Sequence, residues 1–320
     1  MSDIAFLFPG QGSQRPGMGR DLTERHPELL ERYYRPADEL LGFGLSDLCF
    51  EGSAEDLLPT GITQPAVFLT SIAILDVLRA RGFDPAMAAG HSLGEYPALV
   101  CAGVLEWQDA LRLVARRGAL MAGVNERTPG AMAALIGLGA QQAEALCAQT
   151  RERTGAVVEV ANYNDPSQQV VSGERDAVRE VAAAAKAAGA ERAVLLKVGA
   201  PFHCSLMRDV EEEFAAELDA VTFHDPRIPV LANVTAAAVR SGAEARENLR
   251  RQLAGAVRWS STLRAMAEAG AGTFVEAGPG RVLSGFCRNT LPEAVCYPAG
   301  EARRIDRMAG ALRERSPLPV

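Results

Sequence analysis

Five residues, Gly90–Gly94, form a Gly-x-Ser-x-Gly pattern with Ser92 at its centre. A short run of small and apolar residues (87–89) precedes the pattern, and a run that favours a helix (95–100) follows it. A serine between a strand and a helix lies on a sharp turn, where the helix N-terminus supplies unpaired N–H groups beside its hydroxyl. The flanking glycines allow strand and helix to pass closely. This context is typical of a nucleophile that attacks a carbonyl carbon, although an ordinary turn serine gives the same pattern.

A serine nucleophile needs a base, and the chain has four histidines. His91 lies inside the turn, where its ring does not easily reach the neighbouring hydroxyl, and His26 and His224 have surroundings typical of surface residues. His203 follows an apolar strand (194–198) and precedes a helix, and in a parallel sheet such a junction lies at the edge that carries chemistry. The sequence leaves His203 as either the base or a buried structural histidine. No Asp or Glu stands out as its orienting partner, a role that a backbone carbonyl can fill instead.

Strand and helix patterns alternate along most of the chain. The apolar run 4–8 predicts a buried strand, and residues 64–82 predict a long apolar helix. From 128 to 198 the order is strand, helix, strand, strand, helix, strand, which is the ferredoxin-like arrangement. Because this segment interrupts an α/β pattern, we expect a large domain made of 1–127 and 199–320 with 128–198 inserted as a small subdomain.

The composition argues against several classes of protein. A formal net charge of −7 over 320 residues argues against a general nucleic-acid-binding protein. The N-terminus lacks the basic region and cleavage site of a secretory signal, and we expect no apolar run long enough to cross a membrane. The six cysteines and four histidines are scattered without metal-ligand spacing. We therefore expect no metal site, reduced thiols and a cytoplasmic location.

Seven ordered motifs carry a resemblance to a known family. They are Phe8–Gln14, Thr63–Ala66, Gly90–Tyr96, Arg117–Met121, Ala161–Asn164, Pro201–Met207 and Glu276–Gly280. With this set the chain resembles malonyl-CoA:acyl carrier protein transacylases from residue 4 to about residue 290, and also the acyltransferase domains of polyketide synthases. The resemblance implies an α/β-hydrolase-like large domain with an inserted ferredoxin-like subdomain, which agrees with the pattern above. It also implies a free-standing enzyme, since the chain carries no ketosynthase or carrier region.

The resemblance implies a two-step acyl transfer. Ser92 would attack the thioester of malonyl-CoA, and His203 would take its proton and pass it to the leaving thiol. The N–H groups of Gln11 and Leu93 would hold the oxyanion. The phosphopantetheine thiol of an acyl carrier protein would then attack the malonyl ester, with no metal or redox cofactor. In the family a main-chain carbonyl orients the histidine, and the resemblance places that carbonyl near Arg258-Trp259.

The resemblance also assigns the acyl pocket. Arg117 would bind the malonyl carboxylate, because a planar guanidinium offers two parallel charge-assisted hydrogen bonds. Phe202 is typical of malonyl-selective relatives, since its ring fills the volume that a 2-methyl branch needs. His91, Gln64 and Asn162 match pocket or supporting positions, although the two amides could equally be structural hydrogen-bonding groups.

Three arginines bear on the partner and the pathway. Arg192 and Arg288 match docking positions in relatives, and an acidic carrier needs such a local basic rim because this chain is itself acidic. Glu191 breaks the usual basic pair, so the patch is expected to be weaker or shifted. Arg258 stands where bacterial fatty-acid members often carry glutamine and modular-synthase relatives often carry arginine. This difference favours a trans-acting polyketide enzyme over a fatty-acid one.

Other functions stay open at this point. The same serine and histidine could release stalled acyl groups to water, could transfer another acyl unit, or could belong to a non-catalytic carrier-binding module. Arg117 argues against a hydrolase for neutral acyl chains, which has no use for a carboxylate partner. The intact set of Ser92, His203 and Gln11 argues against a binding module.

Overall fold

The described residues, 4–198 and 200–315 of a computed structural model, contain nine β-strands. In chain order these are Ile4–Phe8 (β1), Met87–Gly90 (β2), Gly130–Ile136 (β3), Val158–Asp165 (β4), Gln168–Glu174 (β5), Arg192–Leu195 (β6), Val230–Leu231 (β7), Thr273–Glu276 (β8) and Val295–Pro298 (β9). Five of them form a parallel sheet in the order β7-β2-β1-β8-β9. The other four form an antiparallel sheet in the order β4-β5-β3-β6. The protein is therefore an α/β fold built on a parallel sheet, with a second sheet inserted.

Helices cover the parallel sheet and one face of the antiparallel sheet. Those in the described residues are Arg20–Arg25 (α1), Arg35–Leu41 (α2), Leu45–Glu51 (α3), Thr60–Ala80 (α4), Glu95–Cys101 (α5), Trp107–Arg127 (α6), Ala140–Thr154 (α7), Arg175–Ala187 (α8), Arg208–Asp219 (α9), Gly242–Gln252 (α10), Trp259–Glu268 (α11), Val282–Thr290 (α12) and Ala302–Arg315 (α13). A π-helical turn (30–34) precedes α2, and 3₁₀ turns (92–94 and 205–207) precede α5 and α9.

The centre of the parallel sheet determines where the serine lies. β1 is fully buried and pairs with β2 so that Phe8 lies opposite Gly90. The chain leaves both strands at the same edge, which brings the loop that begins at Pro9 beside the turn that carries Ser92. The carboxyl edge of a parallel sheet is where such folds place their ligands. The Gly90–Gly94 turn and the Phe8–Gln14 motif thus meet because their strands are neighbours.

The antiparallel sheet has two different faces. Ala133 and Leu135 of β3 point into a small core shared with α7 and α8, whereas Met132 and Ala134 belong to the large core beside the parallel sheet. The alternation follows from the two-residue period of a strand. The order strand, helix, strand, strand, helix, strand agrees with the sequence prediction for 128–198.

Several elements differ from the sequence expectations. The helix expected at 64–82 begins earlier, at Thr60, and ends before Gly82, which has a left-handed φ of 81°. The sequence patterns did not predict α1, α2 or α3, nor did they predict β9 and α13 near the end of the chain. The expectation that no apolar run is long enough to span a membrane was wrong, because α4 meets that length and composition. Its most apolar window is 83% buried, however, so α4 is the central core helix of this protein.

Candidate active site

Ser92 lies on the sharp turn between β2 and α5 that the sequence predicted. Its φ is 52°, a left-handed conformation that L-residues rarely adopt and that costs about 1–3 kcal/mol. A Cβ on Gly90 would collide with the carbonyl of Gly94, and a Cβ on Gly94 would collide with the carbonyl of Phe8. Both glycines are therefore needed for the strand, the turn and β1 to pack this closely.

His203 is the histidine that reaches the serine. Its Nε2 lies 2.7 Å from Ser92 Oγ, and its Nδ1 lies 2.8 Å from the main-chain oxygen of Gln252. This geometry fits an Nδ1–H that donates to the carbonyl, which leaves Nε2 free to accept the serine proton. The expectation that this carbonyl lies near Arg258-Trp259 was wrong. α10 ends at Gln252, where carbonyl groups lack partners within the helix, and this end of the helix faces the imidazole.

The position of His203 was predicted for a reason that does not hold. The strand before it, β6, is an edge strand of the antiparallel sheet rather than a strand of the parallel one. His203 instead lies in the segment that returns from the inserted sheet to the larger one. Its φ is 61°, and its backbone N–H donates to the carbonyl of Leu253 at 3.2 Å. The end of α10 therefore holds both the ring and the backbone of this histidine.

Two amide side chains hold the backbone on both sides of Ser92. Asn233 Nδ2 donates to the Gly90 carbonyl at 2.6 Å, and Asn233 Oδ1 accepts from the Ser92 N–H at 2.6 Å. Gln252 Nε2 donates to the Ser92 carbonyl at 3.0 Å. Neither residue was predicted from the sequence. Asn233 follows β7 at the carboxyl edge of the sheet, which is a usable signal, whereas nothing local distinguishes Gln252.

Arg117 brings a buried cation to the same hydroxyl. It lies on α6 with 1% of its surface exposed, and its Nη2 lies 3.1 Å from Ser92 Oγ. Its other partners are the side-chain oxygens of Gln64, at 2.7 Å from Nη1, and Gln252, at 3.0 Å from Nη2. Gln64 is fully buried, and its hydrogen bond holds the guanidinium in place. Both of these partners are neutral, so neither hydrogen bond cancels the positive charge that Arg117 presents to an anion beside Ser92.

Two adjoining cavities lead to the serine. The inner one, about 120 Å³, is lined by Ser92, His203 and Arg117 together with Met121, Met132 and Phe202. The outer one, about 250 Å³, lies between the loop after β1, the inserted sheet and α12. Gln11, His91 and Asn162 line both. Sequence reasoning missed Met121 and Met132, because a methionine in an apolar run carries no chemical signal.

The remaining predicted residues have distinct surroundings. Leu93 is fully buried in the 3₁₀ turn directly after Ser92. Gln11 Nε2 donates to Thr60 Oγ1 at 3.3 Å. His91 Nε2 lies 2.8 Å from Asn164 Oδ1, and its ring packs edge-on against Trp259. These contacts hold His91 in the cavity wall, away from the Ser92 hydroxyl.

Burial and charge shift the titration of three groups. Burial, with a further contribution from the Arg117 charge, lowers the pKa of His203 to about 3. Burial raises the pKa of Glu95, in the first turn of α5, to about 7. Burial also lowers the pKa of the Arg117 guanidinium, which nevertheless stays protonated. The depressed pKa of His203 keeps the imidazole neutral, which is the state a general base requires.

Arg258, Arg192 and Arg288 lie outside the serine–histidine pair. Arg258 places its guanidinium over the Tyr163 ring at 5.9 Å and donates to the Val234 carbonyl. The prediction that a main-chain carbonyl near Arg258 orients His203 was therefore wrong. Arg192, at the start of β6, and Arg288, in the last turn of α12, are exposed.

Comparison with known proteins shows which family the chain resembles. A family model described as "Acyl transferase domain" matches residues 5–312. The malonyl CoA-acyl carrier protein transacylase of Escherichia coli (strain K12) is 43% identical over 313 residues, covering 98% of this chain and 99% of that protein. The protein of the same name from Bacillus subtilis (strain 168) is 41% identical over 319 residues, covering 99% of each.

Solved structures of similar proteins have the same fold. An acyl carrier protein S-malonyltransferase from Vibrio cholerae superposes with a TM-score of 0.91 at 39% identity, covering 96% of this chain and 99% of that one. A malonyl-transacylase in complex with its type II PKS acyl-carrier protein superposes with a TM-score of 0.92 at 38% identity, covering 97% and 99%.

The pKa of His203 makes a prediction for pH dependence. A neutral sulfonyl fluoride that labels Ser92 has no ionisable group, so its rate reports the protein alone. The imidazole should stay neutral down to about pH 5. The labelling rate should therefore not fall with a midpoint near pH 6.5, which is the ordinary pKa of histidine. Intact-mass measurements from about pH 5 to 8 test this, and a wild-type midpoint near 6.5 would contradict it.

The same shift has a consequence for stability. Below about pH 6.5 the unfolded chain binds a proton at this histidine that the folded protein does not bind. The contribution of His203 to the free energy of unfolding therefore falls as the pH decreases from there towards about 3.

Proposed function

The chain belongs to the malonyl-CoA–acyl carrier protein transacylases of the acyl transferase family, and we propose that Ser92 carries the malonyl group between the two half-reactions. The protein transfers a malonyl group from malonyl-CoA to the phosphopantetheine thiol of an acyl carrier protein. The observation that supports the role of Ser92 is its contact with two groups at once. A neutral imidazole lies 2.7 Å from its hydroxyl and a buried guanidinium 3.1 Å from it.

In the first half-reaction Ser92 Oγ attacks the thioester carbonyl while His203 Nε2 accepts its proton. The imidazolium that forms is stabilised by its Nδ1–H bond to the Gln252 carbonyl. The backbone N–H groups of Leu93 and Gln11 are placed by the turn and by the loop after β1, and we assign them to the oxyanion. His203 then protonates the CoA thiolate as it leaves. The carrier thiol reverses the sequence, giving up its proton to His203 and releasing Ser92.

Arg117 selects an acyl group that ends in a carboxylate. The malonyl carboxylate lies two bonds beyond the carbonyl that Ser92 attacks, so a guanidinium beside Ser92 Oγ is within its reach. Phe202 and the two methionines leave an inner cavity of about 120 Å³. We assign to Phe202 the exclusion of a branch at the malonyl C2. We assign the polar groups of Asn162 and His91 to the wall of the channel that the thioester enters.

The separate origins of the two sheets support the expected division into two domains. We assign 1–127 and 199–320 to an α/β-hydrolase-like domain and 128–198 to a ferredoxin-like subdomain. The parallel sheet takes all its strands from the first part, and the antiparallel sheet takes its strands from the second. A cytoplasmic location is also proposed, in keeping with a core helix α4 that is buried in the protein.

The carrier protein is proposed to dock at the mouth of the outer cavity. Leu196 and Val282 line or border this mouth, and the exposed apolar side chains Val194 and Leu195 continue from it along β6. Arg192 lies at one end of that strand, and Arg288 lies on α12 across the cavity. An apolar strip between arginines fits an acidic partner that brings the thiol of its phosphopantetheine arm into the cavity.

The assignment of the nucleophile predicts that Ser92→Ala forms no acyl-enzyme with malonyl-CoA. His203→Ala should slow its formation about 10²–10⁴-fold, the usual contribution of a general base. Ser71→Ala removes another buried hydroxyl, on α4, and should acylate normally. Intact mass with and without carrier protein provides the readout. An acylated Ser92→Ala protein would refute the assignment, and a wild-type ester that discharges rapidly to water would identify a hydrolase.

The acyl pocket predicts opposite effects for two substitutions. Arg117→Ala removes a charge-assisted contact of about 1.5–3 kcal/mol, so malonylation should fall by at least about 10–150-fold while acetylation changes little or rises. Phe202→Ser should improve methylmalonyl-CoA relative to malonyl-CoA by about 1–3 kcal/mol or less. Competition among malonyl-, methylmalonyl- and acetyl-CoA tests both. A variant Arg117→Ala that still prefers malonyl over acetyl would show that the carboxylate is held elsewhere.

The docking surface predicts a separation of the two half-reactions. Arg192→Glu with Arg288→Glu should raise the KM for carrier protein without changing the rate of malonylation by malonyl-CoA. The matched control is Arg175→Glu with Arg179→Glu, which makes the same charge change on α8, on the face of the inserted sheet away from the cavity. Equal losses in both half-reactions, or an equal rise in KM for the control, would reject this surface.

A further inference from the structure

A buried carboxylate lies behind the serine and the histidine without touching either. Glu95 is 1% exposed in the first turn of α5. Its Oε2 accepts two hydrogen bonds, from the Asn233 backbone N–H at 3.1 Å and from Gln252 Nε2 at 2.7 Å. Its Oε1 has no hydrogen-bond partner within the described residues. The mechanism proposed above gives this carboxylate no role.

The two residues that Glu95 holds are the two that hold the nucleophile. Asn233 contacts the Gly90 carbonyl and the Ser92 N–H, and Gln252 contacts the Ser92 carbonyl. Three backbone groups around the serine are therefore bonded to the side chains of two residues, and both residues donate a hydrogen bond to one oxygen of Glu95.

The same connection continues to the base. The main-chain oxygen of Gln252 accepts from His203 Nδ1, and the next carbonyl, of Leu253, accepts from the His203 N–H. A fixed Gln252 thus fixes the imidazole. Its side-chain oxygen also accepts from Arg117 Nη2, so Gln252 contacts Ser92, His203 and Arg117.

Both reacting residues need such a restraint. Ser92 and His203 have left-handed φ values of 52° and 61°, which L-residues adopt only where the surroundings impose them. Their side chains must also stay at hydrogen-bond distance, because a displacement of about 1 Å in a reacting group costs on the order of 10²-fold in rate.

We propose that Glu95 is a positioning residue for both half-reactions, the common anchor through which Asn233 and Gln252 keep Ser92 and His203 at reacting distance. This rests on the roles proposed above for Ser92 and His203. Both contacts end on a single oxygen that accepts, so the amide oxygen of a glutamine can replace it, whereas alanine leaves Asn233 and Gln252 without their common partner.

The test measures Ser92 reactivity with a neutral sulfonyl fluoride, which does not use Arg117, alongside kcat and KM for malonyl transfer. Glu95→Ala is expected to slow labelling and lower kcat by about 10²-fold, with a smaller change in the KM for malonyl-CoA. Glu95→Gln is expected to restore labelling to within about tenfold of wild type, because it keeps the accepting oxygen.

The matched control is Glu276, a second fully buried carboxylate. It accepts from the backbone N–H groups of Leu283 and Ser284 at the start of α12 and contacts neither Asn233 nor Gln252. Glu276→Ala should lose thermal stability as Glu95→Ala does, yet label Ser92 within about threefold of the wild-type rate, because its loss does not displace the reacting groups. Equal slowing by the two variants would show that general destabilisation is the cause and would overturn the proposal.

Two further outcomes decide the matter. A folded Glu95→Ala protein that labels at the wild-type rate would refute the positioning role. If Glu95→Ala does not fold, Asn233→Ala removes two of the three restraints on the Ser92 backbone and should show the same loss of labelling. Peptide mass identifies the labelled residue, so a mistaken assignment of Ser92 itself is detected separately from a failure of the anchor.

Discussion

The left-handed backbone of Ser92 is the constraint on which the rest of the site depends. It exists because β2 and α5 approach so closely that only glycine fits at positions 90 and 94, with the end of β1 packed against the second of them. A strained turn of this kind persists only when its surroundings hold it. Here the restraint comes from Asn233, which follows β7, and from Gln252, which ends α10, so two further elements help to hold this one residue.

The charges at the site are arranged so that the cation is fixed but not neutralised. Burying an unpaired guanidinium is costly, and a carboxylate partner would normally offset that cost. Arg117 instead donates from Nη1 and Nη2 to the neutral amide oxygens of Gln64 and Gln252, while its Nε has no hydrogen-bond partner within the described residues. Glu95 lies one amide further away, on the other side of Gln252. The site can therefore attract an anionic acyl group, while burial, with a further contribution from the same positive charge, keeps His203 neutral.

The inserted sheet supplies what the parallel sheet cannot. The parallel sheet places the nucleophile on its edge, where it would face solvent without a cover. The inner face of the antiparallel sheet closes the cavity through Met132, Asn162 and Val170, while its outer face packs on α7 and α8. Small changes on that inner face can alter the substrate pocket while leaving the hydrogen bonds to the Ser92 backbone in place, because those bonds come from Asn233 and Gln252 of the larger domain.

The sequence alone determined those features that neighbouring residues encode. The Gly90–Gly94 turn was predictable because its geometry depends on two glycines within four residues of each other. Likewise the order of strands and helices in 128–198 follows from local periodicity. His203 was identified because the chain has only four histidines, although the reasoning that placed it beside a parallel sheet was wrong. Arg117 was identified only through the family resemblance, because arginines are common in this chain.

Only the tertiary structure decided which groups orient and restrain that chemistry. The carbonyl that orients His203 belongs to Gln252 rather than to the region of Arg258, and every residue has a carbonyl, so its type gives no signal. Gln252 and Ser92 are 160 positions apart, and Asn233 and Ser92 are 141 apart. Buried amides and carboxylates act here by position, and their positions are set by how α5, β7 and α10 pack together. Local patterns in a chain carry no information about such packing.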